Sequence, residues 1–445
     1  MHEISQAELL FGIDPLWYAG TLFIMTYVLI MSEWLNRSIV ALSAASLMIV
    51  GGVMTQEAAI AGIDFNTIGL LTGMMIIVSI TRKSGVFQYL AIRSVKWVNA
   101  DPWGILVMLV LVTALLSALL DNVTTVLLIA PVTLLITDTL KLSAYPYLFA
   151  EIFASNIGGS ATLIGDPPNI MIGSASGLDF NAFLFNLAPI VVLILIATLV
   201  PIYLVWGRQL HADEKLRIRV MNYRENDAIK SARLLKQSLF VLVLVILGFI
   251  VGHHFGLQPA TIAMFGASLL LLLDNLPRSP SEQSEMVHKS LSELEWSTIF
   301  FFIGLFIVVH GLEHTGALEL LANQVLLLTG DDKTTTALGI LLISAIASSL
   351  VDNIPFVATM IPLVKSMAPA FGGEAGITPL WWSLALGSCL GGNGSLVGAS
   401  ANLIIAGFAE RSGQPIRFAP FMLVAFPLML LSILISAIYI DLRYL

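Results

Sequence analysis

Aspartate beside asparagine in the middle of an apolar stretch constrains this chain more than any other feature, because the arrangement occurs twice at a fixed spacing. Leu120-Asp121-Asn122-Val123-Thr124-Thr125, closing at Pro131, returns 231 residues later as Val351-Asp352-Asn353-Ile354-Pro355-Phe356, closing at Pro362. Gly73 and Gly304 keep that shift, as do Gly85 and Gly316. A second phrase follows at a shift of 233: Gly158-Gly159-Ser160-Ala161-Thr162-Leu163-Ile164-Gly165-Asp166-Pro167-Pro168-Asn169 against Gly391-Gly392-Asn393-Gly394-Ser395-Leu396-Val397-Gly398-Ala399-Ser400-Ala401-Asn402. Two halves with Gly/Pro-interrupted apolar segments at matching places predict an internal repeat whose interface forms a binding site at membrane depth.

Composition agrees with a chain that lives in lipid. It is 57% hydrophobic and 11% charged, with a mean hydropathy of +0.91, where a soluble domain carries roughly 25% charged residues. The net charge of −8 therefore says little about partners, and no nucleic-acid signature is present. A single cysteine, Cys389, rules out an intrachain disulfide. The start, Met1-His2-Glu3, lacks a basic n-region, so the first apolar run reads as a retained span.

The fold class expected is an all-α polytopic membrane protein, built as two inverted repeats of about five transmembrane helices, each with a re-entrant helical hairpin and a broken helix. A crossing needs ~20 apolar residues. That gives spans over 16–32, 38–54, 67–80 and 183–206 in the first repeat (1–206), and over 238–253, 258–273, 296–311 and 419–438 in the second (237–445). The blocks 104–139 and 334–366 are too long for one crossing and carry Asp-Asn at their middles, so each reads as a hairpin; 145–177 and 379–409 read as broken helices. Non-helical backbone at that depth must be buried in protein or face water.

An odd number of spans per half inverts the second half. The linker 207–236 carries eight Lys/Arg and reads as a cytoplasmic, solvated helix. Propagating outward from it places 18 of the 21 Lys/Arg inside, Arg37 among them, and both termini outside. Residues 274–294 read as a plain loop, and 84–98 as a segment along the inner interface.

A carboxylate in mid-span costs about 2.5–3.5 kcal/mol on insertion scales and is functional by default. Asp121 and Asp352 are read as exchanging protons or binding a cation, against the simpler role of capping the helices that follow. Asp166, whose counterpart is Ala399, either titrates with them or locks its loop. Asn122 and Asn353 offer donors and acceptors at the tips, Thr124 and Thr125 follow the first tip, and the breaks add Gly159, Ser160, Thr162 and Asn169 in one half and Asn393, Ser395, Ser400 and Asn402 in the other. These are the candidate solute ligands. Glu151 reads as a polar contact between helices, His310, Glu313 and His314 as interfacial side chains rather than a metal site, and Cys389 as a packing residue. No metal or cofactor is expected.

The motifs Leu120 to Thr125 with Pro131, Asn156-Ile157-Gly158-Gly159 and Gly165 to Asn169 resemble the ion transporter superfamily. The likeness is to the branch of arsenite efflux permeases, sodium/proton antiporters and the P protein; Val351 to Pro355 and Leu390 to Asn402 are similar to the P-protein pattern. The resemblance implies a scaffold part, a transport part with two hairpins, elevator-like alternating access and a homodimer, and it leaves room for an ATPase partner. The dicarboxylate branch has Ser-Asn-Thr at its hairpin tips; here Asp121 or Asp352 replaces the Ser, and Val123 or Ile354 the Thr. Several carboxylates in one site would repel a dianion.

The function expected is proton-coupled export of a small inorganic solute across the inner membrane, with uncharged arsenite or antimonite hydroxide first. A sodium/proton antiporter is the alternative, anion or dicarboxylate transport less favoured, and an intramembrane aspartyl protease remote.

Overall fold

The computed structural model of the chain describes residues 13–32, 34–330 and 332–445; the N-terminal stretch expected to lie outside the membrane falls mostly beyond them. In the first half the helices are α1 (Pro15–Met31), α2 (Arg37–Val50), α3 (Gln56–Ala61), α4 (Phe65–Arg82), α5 (Val86–Trp97), α6 (Pro102–Leu119), α7 (Asn122–Thr139), α8 (Tyr145–Gly159), α9 (Pro167–Ser176), α10 (Phe180–Asn186) and α11 (Ala188–Val205). The linker holds α12 (Glu214–Met221). The second half follows with α13 (Ala232–Val251), α14 (Pro259–Asn275), α15 (Pro280–Ser292), α16 (Trp296–His314), α17 (Ala317–Thr329), α18 (Lys333–Leu350), α19 (Asn353–Ser366), α20 (Thr378–Gly391), α21 (Ser400–Arg411) and α22 (Phe418–Tyr444). Eight helices among the described residues are at least 18 residues long and apolar enough to cross a membrane.

The chain is all-α and consists of two inverted repeats. Packing across the halves is reciprocal: α4 lies on α14 as α16 lies on α2, and α7 lies on α21 as α19 lies on α9. The repeated glycines explain how. A Cβ on Gly73 would stand 2.7 Å from the Ala263 backbone, and one on Gly304 would stand 2.6 Å from that of Ala41. Each glycine lets one half's helix approach the other half's backbone. Gly85 and Gly316 do a different job. Both precede a helix with a left-handed φ, +86° and +76°, which a side chain resists.

Each apolar block is a hairpin. α6 and α7 break at Leu120-Asp121, and α18 and α19 at Val351-Asp352; in both, the Asp caps the second arm, Asp121 through the Thr124 N–H and Asp352 through the Ile354 N–H. The broken helices leave Ser160 to Asp166 and Gly392 to Ala399 outside α-helix, each loop ending at a proline or serine that opens the next helix.

Two readings need correction. Residues 274–294 are not a plain loop: α15 occupies most of the stretch, started by a capping box in which Ser279 and Glu282 bond reciprocally. Residues 317–329, outside every span assigned from the sequence, form α17, the counterpart of α5, which is itself a full helix.

Candidate functional site

The site is built where the two hairpins meet tip to tip beside both broken helices. Asp166 sits at the junction, fully buried. Asn122 of the first tip donates Nδ2 to its Oδ1 at 3.3 Å, and Asn353 of the second tip donates Nδ2 to its Oδ2 at 3.2 Å. One carboxylate from one half therefore joins both tips.

Asn156 extends the network. Its Oδ1 accepts from Asn122 at 3.2 Å, and its Nδ2 donates to Asn393 and Asn402, both at 3.0 Å. The repeat counterpart of Asn156 is Cys389, whose thiol donates to Asn169 Oδ1 at 3.6 Å. Asn156–Asn402 and Cys389–Asn169 are thus one contact made twice.

The other polar candidates hold the breaks in shape, again in pairs. Ser117 donates to the Ser155 carbonyl as Ser348 does to that of Ser388, both at 2.6 Å. Thr162 donates to the Ala118 carbonyl as Ser395 does to that of Ser349, both at 2.5 Å. Asn169 caps the carbonyls of Ser160 and Thr162, and Asn402 those of Gly392 and Ser395. Ser160 donates to the Ile157 carbonyl. Gly159 lies against Gly165, where a Cβ would stand 2.7 Å from the carbonyl oxygen. Thr125 is buried with its hydroxyl unpartnered, Thr124 donates to Asp121, and Ser400 donates to Asp352. Most of the hydroxyls and amides read as solute ligands are thus already engaged by protein, and the tips and Asp166 form the chemical centre.

A small cavity of about 30 Å³ touches this centre, with Asp121, Asn122, Asp166, Asn353 and Ser400 in its wall. A larger one of about 400 Å³ shares Arg37, Val123, Glu295 and Ser400 with it and reaches Leu35 and Asn36 between α1 and α2. The path to the centre therefore runs between the α1–α2 turn and the second hairpin.

Four residues here escaped the sequence reading. Arg37 was read only as a marker of orientation; it is the one cation lining either cavity among the described residues. Glu295 and Thr298 sit at the start of α16 and bond to each other at 3.0 Å. They repeat Asp64 and Thr67, bonded likewise at 2.5 Å, at the shift of 231 that defines the repeat. Asn156 lay inside the quoted motif without a role.

The electrostatics differ from what bare charges suggest. Asp121, Asp166, Glu295 and Asp352 are the N-cap residues of α7, α9, α16 and α19, and α2 and α21 also begin here, at Arg37 and Ser400. Six helix starts each carry roughly half a positive charge. With Arg37 they offset four carboxylates about evenly. Repulsion of an anion by this site is correspondingly weaker than the sequence suggests. Each proton taken up tips the balance toward positive.

Elsewhere Glu151 of α8 accepts from Thr133 of α7, a contact between helices, and His310 lies 3.3 Å from Glu313. No group of three or more His, Cys, Asp or Glu is arranged to hold a metal ion among the described residues.

Comparison with known proteins places the chain. The model of a family described as citrate transporter matches residues 27–387. The chain belongs to this family. It is 44% identical over 430 residues to an uncharacterized transporter of Mycobacterium tuberculosis, covering 96% of this chain and 98% of that one. It is 32% identical to the human P protein over 497 residues, which is 93% of this chain but 58% of the P protein. Two solved transporters share the fold at low identity: Neisseria gonorrhoeae MtrF (TM-score 0.59, 12% identity, 97% and 95% of the chains covered) and Alcanivorax borkumensis YdaH (TM-score 0.56, 13%, 97% and 99%). MtrF is described as illuminating a class of antimetabolite efflux pumps. This citrate-family chain is a multi-pass membrane transporter of the ion transporter superfamily, akin to the P protein.

Proposed function

We propose that this transporter couples proton movement to export of a small inorganic solute, with arsenite or antimonite hydroxide as the first solute to test. The observation that carries the reading is Asp166 suspended between Asn122 and Asn353. A proton arriving there converts a bond acceptor into a donor and alters how the two tips hold each other. Asp121 and Asp352, one at each tip, supply two further exchange sites. An uncharged hydroxide suits a centre whose charges nearly cancel and whose wall offers oxygen acceptors. Elevator-like motion of the hairpins against the scaffold, in a homodimer of the inner membrane with the linker cytoplasmic and both termini outside, completes the proposal. In that orientation the larger cavity, of about 400 Å³, opens inward.

A carboxylate solute is the second reading. It is favoured by Arg37 and the six helix starts, and by the description of the family.

Proteoliposomes carrying the protein are offered arsenite, citrate and sodium separately under an imposed pH gradient. Arsenite movement that collapses the gradient supports the first reading, and citrate movement the second. Sodium alone driving protons, with neither solute moving, overturns both in favour of a sodium/proton antiporter.

A further inference from the structure

We propose that Arg37 is a positioning residue that latches the second hairpin tip to the scaffold and releases it when Asp352 takes up a proton. Its guanidinium joins four elements. Nη1 donates to Asp352 Oδ2 at 3.1 Å and to Ser400 Oγ at 2.7 Å, and Nη2 donates to Thr298 Oγ1 at 3.2 Å. The same group lies over the Phe301 ring, 5.1 Å from its centroid. Arg37 begins α2 and Thr298 and Phe301 belong to α16, while Asp352 caps α19 and Ser400 begins α21. Ser400 closes the triangle by donating to Asp352 Oδ2 at 2.7 Å.

A second bond supports the first. Tyr27 of α1 donates its hydroxyl to the Pro355 carbonyl and meets the Thr359 hydroxyl, one turn farther along α19. The second hairpin is therefore pinned to α1 and α2 at two levels.

Among the described residues the first hairpin has no such latch. The reciprocal glycine contacts pair Ala41 with Ala263. That register places Pro259 where Arg37 stands in the other half, and proline has no cationic group. Asp121 takes its side-chain bonds from Thr124 in its own helix.

The switch follows from the chemistry of the pair. Arginine stays charged at any working pH, so the proton-sensitive partner is Asp352. A proton from water on Asp352 removes the negative charge that Arg37 faces. The guanidinium keeps two hydroxyl partners and an open cavity into which it can turn; its side chain is 27% exposed and that of Asp352 17%. The bond lost on protonation is the one that ties the tip of α19 to α2. The ionisable groups around Asp352 are Arg37 on α2, Glu295 at the start of α16, Asp166 before α9 and Asp121 on the opposite tip. A test must separate Asp352 from the other three acids.

This inference rests on the alternating-access reading, but its test needs no solute. Failure of solute flux and failure of the latch are therefore distinguishable. Ile354, 5% exposed beneath the latch, is replaced (Ile354→Cys) in the full-length protein in liposomes. Its labelling by a membrane-impermeant maleimide is measured against pH, normalised to the exposed Ser412→Cys. The buried native Cys389 is controlled by the unsubstituted protein. The expected result is labelling about tenfold faster at acidic than at alkaline pH, the factor set by loss of one charge-assisted bond. Arg37→Gln and Asp352→Asn should each make labelling fast and independent of pH, and the double variant should be no faster than either. Arg37→Lys, which keeps the charge, should restore part of the pH response. A pH response that survives in Arg37→Gln overturns the proposal, as does one that vanishes in Glu295→Gln but persists in Asp352→Asn. Additive effects of the two substitutions would equally overturn it.

Discussion

The two hairpins share a sequence pattern and a shape but are held in opposite ways. The second is fastened at its tip, through Arg37 and Tyr27, to helices of the other half. The first is fastened at its base, by the linker. Tyr223 bonds the Thr139 hydroxyl at 2.6 Å, where α7 ends, and Arg217 bonds the Asn99 carbonyl just before α6 begins. Glu225 then anchors that part of the linker to α5 through Arg93 at 2.8 Å and Lys96 at 2.5 Å. A tip held by an ion pair inside the site can respond to what occupies the site. A base held by the linker responds to the linker. Repetition supplied two similar parts, and non-repeated residues gave them different controls.

The largest break in this comparison should come from the residue both tips share. Asp166→Ala makes the first half match the second, where Ala399 stands. It leaves Asn122 and Asn353 without their common acceptor. Losing two charge-assisted bonds should destabilise the protein by about 3–6 kcal/mol, read as a lowered melting temperature in detergent, and abolish proton-coupled flux. Asp166→Asn should keep the fold and still lose coupling; retained coupling would remove Asp166 from the mechanism.

A smaller effect sharpens the symmetry itself. A Cβ on Gly158 would stand 2.3 Å from the Ala114 carbonyl oxygen, and one on Gly391 would stand 2.5 Å from that of Ala345. Gly158→Ala and Gly391→Ala should each cost about 1–3 kcal/mol through overpacking, and by similar amounts. A large difference in melting temperature between them would show that the two hairpin–helix contacts are not equivalent.

Tyr27→Phe removes only a hydroxyl from the second hairpin's fastening. It should cost about 1 kcal/mol and speed labelling at Ile354→Cys less than Arg37→Gln does. No change in labelling would confine the latch to Arg37.

The smallest effect concerns the first hairpin's base. Lys96, then Arg93, hold the Glu225 carboxyl down to about 2 from its ordinary 4.5. A depressed carboxylate contributes stability that is present above the ordinary value and lost as pH falls toward the lowered one. The linker's hold should therefore be constant at neutral pH and weaken only between those two values. Glu225→Gln should increase proteolysis of the linker at neutral pH slightly, leaving labelling at Ile354→Cys unchanged. A change there would show that the two fastenings communicate.

Much of this architecture can be read from the chain because lipid leaves few options. Apolar runs must be helices, and an interrupted run must turn back or break where protein buries it. Two Asp-Asn phrases 231 residues apart therefore predicted two hairpins, and two Gly-Pro or Gly-Ser phrases predicted two broken helices. α15 was missed although Ser279 and Glu282 spelled its cap, and α17 although Gly316 repeats Gly85. Local signals there were outweighed by polar composition in one case and by a short apolar run in the other.

The sequence alone determined that polar groups gather at the tips and breaks, because covalent spacing and the repeat shift are properties of the chain. Only the tertiary structure decided what those groups do. Arg37 lies 315 residues from Asp352, and Asn156 lies 246 from Asn402, so no local pattern could pair them. The convergence of six helix starts on four carboxylates is likewise a property of helices brought together. It changes the charge balance of the site from repulsive to nearly even, because a helix's partial charge acts over distances that only packing fixes.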